Sequence, residues 1–140
     1  MKQKVKVGIV GLGAIGKVHA DAYAHCPDAE MTALCDVDAG RLAELGEKHQ
    51  VKARFTDYRD LLKTDVAAVS ICVGNHLHRE VAVAALRAGK HILLEKPMAM
   101  HAGQAAEIVA AQKKVRKVVQ IGMVNRQRPE VQGEFPHARK

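Results

Sequence analysis

Aromatic residues are scarce in this chain of 140 residues: two Tyr, two Phe and no Trp. Base-stacking platforms are therefore few, and the formal net charge of +7 does not by itself point to nucleic acid. Cysteine is scarce too, and odd in number. Cys26, Cys35 and Cys72 fall in expected helix or strand interiors without paired ligand spacing, so neither a disulfide framework nor a metal site is expected. They read as reduced core thiols of a cytoplasmic protein. No apolar run approaches the roughly 20 residues of a membrane span. The basic opening Met1-Lys2-Gln3-Lys4 precedes an apolar segment broken by glycines and lacking a small-residue cleavage site, which argues against a signal peptide.

The positive charge is unevenly placed. Residues 1–100 hold 14 Lys and Arg against 12 Asp and Glu, whereas residues 101–140 hold 8 against 3. Lys113, Lys114, Arg116 and Lys117 sit at the end of an expected helix, where cations complement the helix dipole, so a nucleic-acid patch is not inferred.

What the chain does have is 48% apolar residues, enough for one compact α/β domain, and a glycine-rich segment near its start. The β-branched run Val5, Val7, Ile9, Val10 leads directly into Gly11-Leu12-Gly13-Ala14-Ile15-Gly16. A strand, this turn, a helix and then an acid at Asp36, 20 residues beyond Gly16, make a dinucleotide-binding pattern. Gly11 allows the sharp turn, Gly13 lets a pyrophosphate approach the backbone, and Gly16 lets the helix pack close to the strand. Free N–H groups and partial positive charge at the helix start hold a phosphate, so Lys17 is not needed for it. Ile15, Val18, Ala22 and Cys26 recur at helical spacing until Pro27, and are expected to form that helix's buried stripe.

Strands and helices alternate through the rest. Strands are expected at 5–10, 31–36, 53–55, 66–73, 91–95 and 118–122. Helices are expected at 39–49 with Leu42 and Leu45 inward and Asp38 as cap, after the Asp57 cap, at 76–88 ended by Gly89, and at 102–115. The apolar run Val66 to Val73 suits a strand covered on both faces. Six strands with helical crossovers predict an α/β fold, a doubly wound parallel sheet (Rossmann fold) in the order 3-2-1-4-5-6. Ligands of such sheets bind at the carboxyl ends of strands one and four, where the crossovers diverge. The loops there hold Val73-Gly74-Asn75-His76-Leu77-His78, with Asn75 expected to cap the next helix, then Glu95-Lys96-Pro97 and Asn125-Arg126.

Taken together, the glycine turn with His19, the Asn75-His76-Leu77-His78 loop, Ala88-Gly89-Lys90-His91, Glu95-Lys96-Pro97 and Arg126-x-x-Pro129 resemble the N-terminal half of the glucose-fructose oxidoreductase / inositol dehydrogenase / MocA family over about residues 5–131. Members are NAD(P)-dependent oxidoreductases of sugars, polyols and related compounds. The resemblance implies a second domain with most of the substrate pocket and the usual catalytic histidine. It also implies that Lys96 is catalytic, orienting a substrate hydroxyl and contacting the nicotinamide ribose. Gly74 and Gln127 depart from the family's usual residues.

The expected cofactor-binding set is Gly11, Leu12, Gly13, Ala14, Ile15, Gly16, Asp36, Val73, Asn75, His78, Glu95, Lys96, Asn125 and Arg126. Asp36 favours NAD over NADP, because an acid repels a 2′-phosphate, although Arg41 could swing toward one. Glu95 is expected to orient the Lys96 ammonium, His78 to lie near the nicotinamide, His76 to be exposed, and His19 to pack in the first helix. His76 and His78, two residues apart, diverge on a helix and do not suggest a metal site.

Three functional readings follow: a dehydrogenase moving hydride to or from a sugar or polyol, a dinucleotide-binding module without turnover, and a truncated product of a longer gene. Residues 1–128 are expected to form the dinucleotide-binding domain. Residues 129–140 are expected to be a disordered tail that would begin a missing second domain. Lys96, Met98, Met100, Met123 and Val124 would then be exposed and favour self-association.

Overall fold

The computed structural model describes residues 3–124 and Arg128. A six-stranded sheet runs in the order β3-β2-β1-β4-β5-β6, and every neighbouring pair is parallel. The elements are β1 (Val5–Val10), α1 (Ala14–Ala24), β2 (Ala29–Cys35), α2 (Ala39–Lys48), β3 (Ala53–Phe55), α3 (Tyr58–Leu62), β4 (Ala68–Ile71), α4 (His78–Arg87), β5 (His91–Leu94), α5 (Ala102–Val115) and β6 (Val119–Ile121).

Successive strand residues point to opposite faces, and both faces are covered. Ile9 and Leu34 pack with Leu42 and Leu45 of α2 and Ala20 of α1 on one side. Val10, Val69, Ile71 and Leu94 pack with Val81, Ala85 and Leu86 of α4 and Ile108 of α5 on the other. Burying each of these larger aliphatic side chains contributes about 1.5–3 kcal/mol, which is why the inner strands are rich in apolar residues.

The helix ends follow local chemistry. Asp38 Oδ1 accepts the Arg41 N–H at 3.0 Å and Asp57 Oδ1 the Arg59 N–H at 2.8 Å, capping α2 and α3. Gly89, at φ +74°, follows the C-cap Ala88 and turns the chain from α4 into β5.

Several expected boundaries move. β4 covers 68–71, not 66–73, because β1 offers ladder partners only from Val7 opposite Ala68 to Val10 opposite Ile71. Val66 and Cys72 are buried without being paired strand, so the apolar run measured burial and not ladder length. Asn75 does not cap the next helix. The chain enters α4 through a 3-10 turn over Asn75–Leu77, whose N-cap is Gly74, and neither that turn nor α4 has a side-chain cap bond.

The stripe expected on α1 is also corrected. Ile15 and Val18 are 42% and 59% exposed, and Gly16 and Ala20 face the sheet. At its first turn the helix lies so close to the glycine turn that a Cβ on Gly16 would meet the Gly11 carbonyl oxygen. No helix among the described residues is long and apolar enough to cross a membrane.

Candidate functional site

The glycine turn is built from two tight contacts around one open one. A Cβ on Gly11, whose φ is +91°, would lie 2.6 Å from the Cys72 carbonyl carbon and oxygen, and one on Gly16 would lie 2.0 Å from the Gly11 carbonyl oxygen. Both glycines are fixed by the fold. Gly13 differs: a Cβ there meets nothing within 4 Å, so the space beside it is not occupied by protein. Gly13 is the N-cap of α1 and offers no side-chain bond, and no acid occupies the helix's first turn. The free N–H groups of that turn and the helix dipole lie beside this open space, an arrangement that suits an anion. Ala14 and Ile15, the first residues of α1, are exposed beside it. Lys17 turns away to Glu44, at 2.9 Å.

Asp36 lies just past β2 and is almost fully buried. Its Oδ2 accepts the Leu12 N–H at 2.6 Å and its Oδ1 the Asp38 N–H at 2.8 Å. Leu12 therefore enters the site through its backbone, while its side chain fills the core. A carboxylate has about four acceptor positions, so each oxygen retains capacity for a hydroxyl. Arg41 Nη1 stands 3.8 Å from Asp36 Oδ2, and Arg41 Nε stands 3.9 Å from Asp38.

These groups open onto a cleft of about 540 Å³ along the carboxyl edge of the sheet, lined by Gly11, Gly13, Asp36 and Val73 among others. Burial pushes the thiols of Cys35 and Cys72, on its floor, up to about 12, so both carry their proton at neutral pH. The rim holds residues the sequence reading did not select: Val37, which is 88% exposed, Thr56, Tyr58 and Arg59. The Arg59 guanidinium carbon lies 4.7 Å from the centre of the Tyr58 ring. Tyr58 donates to Glu80 at 2.7 Å, and burial together with that acceptor raises its phenol to about 12. The signal was available, since β3 neighbours β2 in the expected strand order and its following loop must lie beside Asp36.

Of the remaining candidates, Asn75, His78, Glu95 and Lys96 are not among the residues lining this cleft. Asn75 is exposed on the 3-10 turn, and His76 is exposed as expected. His78 is only 1% exposed, with Nδ1 2.6 Å from the Pro97 carbonyl oxygen and Nε2 3.1 Å from that of Val73. It clasps the loops after β4 and β5 together instead of presenting its ring to the cleft.

Lys96 is exposed and Glu95 buried. Contrary to expectation, the Glu95 carboxylate does not meet the Lys96 ammonium among the described residues. Oε2 accepts the Lys96 backbone N–H at 3.3 Å, and Oε1 lies 2.8 Å from His19 Nε2. His19 is accordingly a hydrogen-bonding residue and not packing alone. Met100, Met123 and Val124 are exposed and Met98 half-buried. Asn125, Arg126 and the expected tail at 129–140 lie outside the described residues. Cys35 and Cys72 are buried, Cys26 is half-buried, and all three are free; among the described residues no group of three or more His, Cys, Asp or Glu could hold a metal ion.

Comparison with known proteins gives a consistent result. The family described as "Oxidoreductase family, NAD-binding Rossmann fold" matches residues 5–123. Inositol 2-dehydrogenase of Salmonella typhimurium is 40% identical over 126 residues, covering 87% of this chain and 38% of its own length. D-glucoside 3-dehydrogenase of Escherichia coli is 37% identical over 119 residues, covering 82% of this chain and 33% of its own length. A crystal structure of scyllo-inositol dehydrogenase from Lactobacillus casei, with bound cofactor NAD(H) and scyllo-inositol, superposes with a TM-score of 0.90 at 27% identity, covering 96% of this chain and 40% of that one. The chain thus spans well under half the length of the relatives it matches.

Proposed function

The chain belongs to the oxidoreductase family with an NAD-binding Rossmann fold, and from that membership we propose that it binds NAD(H) along the carboxyl edge of its sheet, as part of an enzyme moving hydride to or from a carbinol carbon of a sugar or polyol. The observation that carries this reading is the open space beside Gly13 next to a locked Asp36. The pyrophosphate fits over Gly13 and the N-terminus of α1, where Ala14 and Ile15 lie alongside. The adenosine ribose hydroxyls fit the free acceptor positions of Asp36, and Val37 with the Tyr58 and Arg59 pair borders the adenine.

NAD is favoured over NADP because a 2′-phosphate would sit against the Asp36 carboxylate. Arg41 stands 3.8 Å from that carboxylate, a distance at which its charge is balanced before any phosphate arrives.

When bound, NAD supplies the hydride acceptor at C4 of its nicotinamide. The chain's own residues bind, orient and handle the proton. Val73 and the loop holding Asn75 border the middle of the site, and His78 sets the spacing between that loop and Pro97. Lys96 is the group proposed to orient the substrate hydroxyl and to take or give its proton, since alcohol oxidation needs a base within hydrogen-bond reach of that proton. Asn125 and Arg126 are proposed to bind the cofactor as well. Free, buried thiols at Cys35 and Cys72 suit a reducing, cytoplasmic setting.

Because the chain spans 38% of the inositol 2-dehydrogenase it matches, dinucleotide binding is proposed of these 140 residues and turnover of the longer architecture its relatives have. Titrating the fluorescence of NADH with the chain tests the binding. Saturable binding, stronger for NADH than for NADPH, is expected, and no binding of either would overturn the reading.

A further inference from the structure

One helix reaches both ends of the proposed site. The N-terminus of α1 carries Gly13, and nearly two turns further along His19 faces the sheet beneath the Glu95-Lys96 turn. His19 Nε2 lies 2.8 Å from Glu95 Oε1, and Nδ1 lies 3.2 Å from Ser70 Oγ. Ser70 is fully buried on β4 and lies 2.8 Å from the Tyr23 hydroxyl, also on α1.

With Glu95 ionised and His19 neutral, one direction satisfies every member of this chain. An ionised Glu95 only accepts, so His19 Nε2–H donates to it, and in the neutral imidazole Nδ1 must then accept. Ser70 O–H donates to Nδ1, and Tyr23 O–H donates to the Ser70 oxygen. Burial raises the Tyr23 phenol above its ordinary value, which keeps that proton in place. Four groups are each satisfied, and bonds in such a chain polarise one another.

The far end of the chain is the Lys96 backbone. Glu95 Oε2 accepts the Lys96 N–H at 3.3 Å, while the carboxylate is seated against Gly122, where a Cβ would lie 2.9 Å from Oε1. A buried carboxylate held on one side by His19 therefore tethers an exposed lysine on the other. A hydrocarbon at position 19 would fill the space but leave Oε1 without a donor, and the carboxylate would have to turn toward water, releasing the Lys96 amide.

We propose that His19 is a positioning residue: through Glu95 it fixes the turn that presents Lys96 to the nicotinamide end of the site. The inference rests on the NAD-binding reading above and goes beyond it, since His19 itself touches no ligand.

The test compares NADH with ADP, which lacks the nicotinamide ribose and ring, on the 140-residue chain as wild type, His19→Leu and His19→Gln. In His19→Leu the dissociation constant for NADH should rise about tenfold, the loss expected for one hydrogen bond from the Lys96 ammonium to the nicotinamide ribose. The constant for ADP should hold within about twofold, and the Lys96 amide resonance should shift. His19→Gln, which can still donate to Glu95, should recover most of the NADH affinity. Unchanged NADH affinity in His19→Leu, equal losses of NADH and ADP, or failure of His19→Gln to recover binding would each overturn the proposal. A wild type that bound neither ligand would instead overturn the nucleotide reading beneath it.

Discussion

The Asp36 carboxylate accepts the backbone N–H of Leu12 at 2.6 Å, across 24 positions of sequence, so the acid after β2 and the glycine turn after β1 form one unit. Replacing Asp36 by Ala removes two things: the acceptor of the Leu12 and Asp38 N–H groups, and the charge that would exclude a 2′-phosphate. Leaving the Leu12 N–H unpaired should cost about 1–3 kcal/mol in urea unfolding. Fluorescence titration should show weaker NADH binding and a narrower gap between NADH and NADPH. A wild type that prefers NADPH would contradict the role given to Asp36.

Gly89 isolates a backbone effect from a packing effect. A Cβ there meets nothing within 4 Å, but φ is +74°. Gly89→Ala should therefore destabilise the chain by about 1 kcal/mol, from the left-handed conformation alone, and Gly89→Asn by less. Because the residue sits at the amino edge of the sheet, away from the cleft, NADH affinity should stay at the wild-type value. Denaturant melts of the three proteins, each followed by an NADH titration, measure both.

The thiols set a pH dependence with a definite sign. Burial raises Cys35 and Cys72 from an ordinary value of 9.0 to about 12, so the folded chain keeps protons that the unfolded chain releases in that interval. Stability from this source is fully present below pH 9 and is lost as pH rises toward 12. A thiol-specific disulfide reagent at pH 8 should label only Cys26 rapidly in the native chain and all three thiols in denaturant. Rapid labelling of three thiols without denaturant would contradict the burial described.

The sequence made the sheet legible because its signals are local. The run Val5 to Val10, the caps at Asp38 and Asp57, and Gly89 each act within a few residues, and the strand order follows from the crossovers. The parts it concealed depend on contacts distant in sequence. His19 looked like helix packing because Glu95 is 76 positions away. His78 suggested a cleft residue because nothing local shows that the Val73 and Pro97 carbonyls converge on its ring. Ile15 and Val18 have the spacing of a buried stripe, and spacing alone cannot show that Gly16 lies against the Gly11 carbonyl. Tyr58 and Arg59 were missed because a three-residue strand gives little weight to the loop after it.

The three glycines of the turn allow the central claim to be tested on its own. Cβ atoms at Gly11 and Gly16 would strike backbone at 2.6 and 2.0 Å, so Ala at either should lower stability and binding together. Gly13 has extended backbone that any residue adopts, and empty space where its Cβ would be. The decisive measurement is a thermal melt and an NADH titration of Gly13→Val beside the wild type. If the pyrophosphate lies over Gly13, the variant melts close to the wild type and binds no NADH; if the variant binds NADH as tightly as the wild type, the dinucleotide does not sit in this turn.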